Sequence, residues 1–191
     1  PASSIRYLTE LGQRDFGESR LQEALPKLEQ LGNITKLDWH FVGRIQSNKA
    51  RGVVKNFDTI HSVDSQKLAE RINRIAQEEN KNPSIFFQVK FLKDISKTGF
   101  SPEELEDSWP GLKNLSHLKI VGLMTIPPKG IEYYQRKNLF KSCRKFADSL
   151  TLPECSMGMS SDWKEALDEG STCLRLGAGL FGPRSMPTQE T

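Results

Sequence analysis

Apolar positions recur along the chain with two alternating periods. Ile5, Leu8 and Leu11 fall on one helical face and Gly12 ends the run, which predicts a helix over 2–12. RDFGE at 14–18 is short and strand-like, and the next helical stretch covers roughly 19–31 and ends at Gly32. WHFVG at 39–43 predicts a strand, followed in QSNKARGVV by a short helix that Gly52 breaks or weakens. DTIHSV at 58–63 is strand-like, and residues 65–80 set Leu68, Ile72 and Ile75 on one face of a helix. SIFFQVKF at 84–91 is almost continuously apolar, as in a parallel strand covered on both faces. Ser101-Pro102-Glu103-Glu104 places a cap, a proline at the first helical position and a glutamate three residues after the cap, which is a capping box. HLKIVGLM at 117–124 predicts a strand and 131–150 a long helix. ECSMGMSSD opens with a short strand. Asp162 and Glu165 then cap a helix in DWKEALDEG that Gly170 closes, and TCLRL at 172–176 is a last strand before GAGLFG.

This is seven strands, each followed by a helix or a glycine-rich turn, after an opening helix. Strict alternation of that kind implies a parallel sheet with helical crossovers. A doubly wound open sheet is one solution. A (β/α)8 TIM barrel fits better if one strand precedes Pro1, because a barrel without its first strand would open on a helix. The expected organisation is a single, N-terminally incomplete barrel domain over 1–182 and a C-terminal tail over 183–191.

Composition narrows the function classes. Hydrophobic residues make up 36% and charged residues 27% of the 191, a globular balance. No apolar run approaches the ~18 residues of a membrane span. The net charge is +3 with both signs interspersed, so no basic stripe calls for nucleic acid. Cys143, Cys155 and Cys173 are odd in number and form no CxxC pair, which points to thiols in a reducing, cytoplasmic setting and not to a metal site or disulfide framework. A monomer is the expected state.

Two segments carry candidate chemistry. Gly177-Ala178-Gly179-Leu180-Phe181-Gly182 matches GxGxxG, but a dinucleotide fold needs a further helix, strand and acidic residue, and only residues 183–191 follow. Its glycines still let the backbone approach a ligand, or serve only a tight turn. Ser156-Met157-Gly158-Met159-Ser160-Ser161-Asp162 offers hydroxyls and N–H groups to an anion, or a plain helix cap. Phosphate sites in barrels often lie in the loops after strands 7 and 8, and these loops hold those places if one strand is missing in front. Arg175, near the end of the last strand, needs a ligand or a neighbouring carboxylate. His40 and His61 read as core histidines, and Gln46, Ser47, Asn48 and Lys49 follow His40 toward the expected rim.

RDFGES, WHFVGRIQSNK, IHSVDS, KTGF, GLMTI, SMGMSSDWKEAL and RLGAGLFGPR occur in this order. Together they resemble the pyridoxal 5′-phosphate (PLP) homeostasis family, whose barrel is similar to the N-terminal domain of alanine racemase. The resemblance implies a single (β/α)8 barrel that holds PLP as a Schiff base. It implies a role in vitamin B6 and amino-acid homeostasis, with delivery to apo-PLP enzymes and without robust catalysis. It assigns phosphate contacts to Ser160 with the backbone around Met159, and to the N–H groups of Gly177 and Ala178. Arg175 is placed near the pyridine nitrogen, Ser19 near the cofactor where many members have Asn, and Lys97 on a loop near the site. Lys90 departs from the usual Asn. The Schiff-base lysine is expected in a first strand upstream of Pro1. A racemase-like PLP enzyme and a barrel for another phosphorylated metabolite are the alternatives.

Overall fold

The computed structural model describes residues 1–34, 36–92 and 98–182. Its elements alternate as α1 (Ala2–Glu10), β1 (Asp15–Glu18), α2 (Leu21–Leu31), β2 (Asp38–Phe41), α3 (Ala50–Asn56), β3 (Thr59–Val63), α4 (Gln66–Glu78) and β4 (Ser84–Gln88). They continue with α5 (Pro102–Leu112), β5 (Lys119–Met124), α6 (Tyr133–Ser149), β6 (Glu154–Met159), α7 (Trp163–Asp168), β7 (Cys173–Arg175) and α8 (Ala178–Phe181). The expected tail at 183–191 and Lys97 lie outside the described residues.

All seven strands are parallel, and each pairs with its neighbours in sequence, in the order β1-β2-β3-β4-β5-β6-β7. A doubly wound sheet would reverse its strand order partway, and this one does not. The sheet is rolled. His61 on β3 bonds to Ser156 on β6 at 2.7 Å, yet strands three apart in a flat sheet stand roughly 14 Å from one another. The strands therefore run round a nearly closed barrel, as the alternation predicts, with β1 and β7 unpaired to each other among the described residues.

The main apolar core lies outside the sheet. Ile60, Ile85, Phe87, Leu123 and Cys155 of the strands meet Ile72, Leu105, Leu112, Phe140 and Ala147 of the helices, all essentially without solvent contact. Phe86 and Met124 are buried outside that cluster. Phe86 stacks on His61 with centroids 4.5 Å apart, on the opposite face of β4 from Ile85 and Phe87. The inner face thus holds Phe86 beside His61.

Local expectations meet three corrections. The capping box stands: Ser101 Oγ accepts from Glu104 N–H at 3.1 Å, and the Glu104 carboxylate accepts from Ser101 N–H at 2.7 Å. Gly52, however, does not break α3. A Cβ there would sit 2.6 Å from Leu21 Cδ2, so the glycine makes room for α2 to close on α3. The strand opening ECSMGMSSD runs six residues, to Met159, through Gly158 at φ +92°. Asp162 holds the N-cap position of α7 but makes no side-chain bond into it; its carboxylate turns back to the strand end. No helix among the described residues is long and apolar enough to cross a membrane.

Candidate functional site

The C-terminal ends of β6 and β7 turn outward side by side. Asp162 Oδ1 accepts from Met159 N–H at 2.6 Å, and Asp162 N–H donates to the Met159 carbonyl at 3.0 Å. This closed turn leaves Ser160 and Ser161 exposed at its tip. Gly179 N–H donates to Ser160 Oγ at 3.1 Å and ties the two glycine-containing turns together. Among the described residues, the N–H groups of Ser160, Ser161, Gly177 and Ala178 have no acceptor. A side chain built on Gly177 would meet nothing within 4 Å. The result is an open seat bordered by backbone donors and one hydroxyl, suited to an oxyanion.

Arg175 stands at the edge of this seat, at the end of β7 and in register with Met159. The carboxylate open from the sequence does not describe its bonds. Its Nη1 donates to Ser156 Oγ at 2.7 Å and its Nη2 to the Thr125 carbonyl at 3.0 Å, so a hydroxyl and a carbonyl hold it, and no carboxylate pairs with it among the described residues. Thr125 is itself fixed, its hydroxyl donating to the Val89 carbonyl at 2.9 Å. Burial lowers the Arg175 pKa from the usual arginine range, without threatening a charge whose ordinary pKa lies above ~12.

Beneath Arg175 the barrel interior is polar. His61 Nδ1 lies 2.7 Å from Ser156 Oγ, His61 Nε2 lies 2.9 Å from His40 Nδ1, and His40 Nε2 lies 3.2 Å from Asp15 Oδ1. Burial first, then repulsion from a protonated His40 and from Arg175, push the His61 pKa from 6.5 down to about 2. Reading His40 and His61 as core histidines missed this connection. They sit on neighbouring strands with His40 opposite Thr59, two residues before His61, and only the register places them on one face.

The remaining candidates frame the rim. Ser19 follows β1, and its carbonyl lies 1.9 Å from where a Gly43 Cβ would stand, so Gly43 permits the close passage of these two loops. Ser62 Oγ donates to the Gly43 carbonyl and fixes that loop from β3. Lys90 follows β4, its N–H donating to the Phe100 carbonyl at 2.8 Å, and its Cγ lies beside Gly99.

Barrel, seat and interior arginine define a protein of the class that includes the barrel of alanine racemase. The alanine racemase N-terminal domain family matches residues 2–185. Alanine racemase of Clostridium difficile 630 shares the fold at TM-score 0.73, with 19% identity over 96% of this chain and 49% of its own. Within that class, this chain belongs to the pyridoxal phosphate homeostasis protein family. It is 50% identical to the protein of that name from Synechocystis sp., over 91% of this chain and 82% of the relative. It is 39% identical to that of Pseudomonas aeruginosa, over 96% and 80%. PipY of Synechococcus elongatus PCC7942, solved with PLP bound, superposes at TM-score 0.91 with 46% identity, over 95% of this chain and 88% of PipY.

Proposed function

We propose that this chain binds PLP at the C-terminal rim of the barrel and serves PLP and amino-acid homeostasis, passing the cofactor to apo-PLP enzymes and not turning over a substrate of its own. The observation that carries the reading is the bond from Gly179 N–H to Ser160 Oγ, which joins two turns whose N–H groups at Ser160, Gly177 and Ala178 face no acceptor among the described residues. The PLP phosphate takes these donors. Met159 contributes the chain direction at the strand end, its own N–H being engaged by Asp162. Arg175 faces the pyridine nitrogen, and Ser19 borders the ring from the β1 side. Bound PLP supplies an aldehyde reactive toward amines, and a guanidinium opposite its ring nitrogen leaves it a weak electron sink, in keeping with a carrier. The family name and the PLP-bound PipY support the same ligand. The three free thiols suit a reducing, cytoplasmic setting.

The test is an equilibrium titration with PLP followed by its absorbance. Ser160→Ala removes one hydrogen bond and is expected to weaken PLP by about 1 kcal/mol, roughly fivefold in Kd. Unchanged affinity would move the phosphate off this seat.

A further inference from the structure

Five side chains from five strands form one connected line through the barrel: Asp15 on β1, His40 on β2, His61 on β3, Ser156 on β6 and Arg175 on β7. Its ends fix its direction. A guanidinium only donates and a carboxylate only accepts. The Asp15 end therefore places a proton on His40 Nε2. A neutral His40 accepts at Nδ1, so His61 carries its proton on Nε2 and accepts at Nδ1 from the Ser156 hydroxyl. The Ser156 oxygen in turn accepts from Arg175. Every donor then meets one acceptor, and only one tautomer of each neutral histidine allows it.

We propose that Ser156, His61 and His40 are positioning residues for Arg175. Together they form an oriented relay that reverses when His40 takes up a proton, which turns the Ser156 hydroxyl away from His61 beneath the guanidinium. A protonated His40 donates from both nitrogens, so His61 must accept at Nε2 and donate from Nδ1. Ser156 then accepts from both His61 and Arg175, and its hydrogen turns away from both. One proton enters from solvent, His40 ends with one more hydrogen, and His61 and Ser156 keep their number.

The surroundings keep the charge at His40. Asp15 lies beside it on β1. His61 is enclosed by uncharged Phe86 on β4 and by the repelling charges of Arg175 and a protonated His40. Glu154 on β6 and Asp162 beyond it act on Cys173 and Arg175, not on His61. The buried imidazole accordingly stays neutral and changes tautomer instead. That this reaches the ligand rests on the reading that Arg175 faces PLP; the relay itself does not.

Nitrogen-15 NMR of the histidine-labelled chain, followed as the solution is acidified, reads the relay directly. Before His40 protonates, both imidazoles are expected as the Nε2–H tautomer. As His40 protonates, the His61 proton should move to Nδ1 at the same midpoint, and in His40→Phe it should stay on one nitrogen throughout. With PLP present, Kd should change at least threefold across that midpoint, and the step should vanish in His40→Phe. A His61 protonated on Nδ1 before His40 takes up its proton, a His61 indifferent to the His40 midpoint, or a PLP step that survives His40→Phe would overturn the proposal. Failure of PLP to bind would count against the proposed function, and the ligand-free titration would still decide the relay.

Discussion

Replacing Gly158 with alanine is expected to destabilise the protein by about 3–5 kcal/mol, combining left-handed backbone strain with overpacking. Gly158 sits within β6 at φ +92°, and a Cβ there would come 2.6 Å from the Ala166 Cβ, 2.9 Å from Leu174 Cδ2 and 3.2 Å from the Trp163 Cα. Leu174 has a flexible end and can give way. The other two atoms belong to α7 itself, so the helix would have to move. Moving it opens the Met159–Asp162 turn and carries Ser160 away from Gly179. Urea denaturation should show the loss at the midpoint, and PLP affinity should fall with it. An alanine variant within about 1 kcal/mol of the parent would mean that the turn has slack that its contacts do not show.

The same glycine marks the limit of what the sequence told. The alternation of periods sufficed for a parallel sheet with helical crossovers, because each βα unit carries its own apolar face and its own stop, and it left the barrel and the doubly wound sheet as the two solutions. The glycines and serines of the last two turns were legible as a candidate anion seat from their place after the last two strands, beside the plainer readings of a tight turn and a helix cap. What local pattern could not show was depth and direction. The six-residue length of β6 depends on a left-handed Gly158 that reads as an ordinary turn residue. Asp162 looked like a cap, and its carboxylate turns back because the Met159 N–H is closer to hand. The line from Asp15 to Arg175 bonds partners up to 95 positions apart along the chain, and nothing in their spacing marks them as partners. Only closure of the barrel brings β3 against β6.

His61 should make the protein acid-sensitive. Its pKa in the folded protein is lowered to about 2 from 6.5, chiefly by burial. Between those values the unfolded chain binds a proton that the folded protein refuses, so stability is fully present above pH 6.5 and falls as the pH drops below it. The loss is about 1.4 kcal/mol per pH unit, or roughly 3 kcal/mol by about pH 4.5. Urea unfolding at neutral pH and at about pH 4.5 isolates it through His61→Phe, which removes the titrating group. The parent should lose roughly 3 kcal/mol more than the variant over that interval. Equal losses in the two proteins would show that His61 charges in the folded state.

The seat between Ser160 and Gly177–Ala178 is the centre of the account, and Gly177→Val tests it most directly. A Cβ at this position meets nothing within 4 Å among the described residues, and the side chain stands in the space assigned to the phosphate. Parent and variant should therefore unfold at the same temperature, while PLP, titrated against each by absorbance, should bind the variant at least about tenfold more weakly, a difference of about 1.4 kcal/mol. A variant equally stable that binds PLP as tightly as the parent would contradict the account and place the phosphate elsewhere.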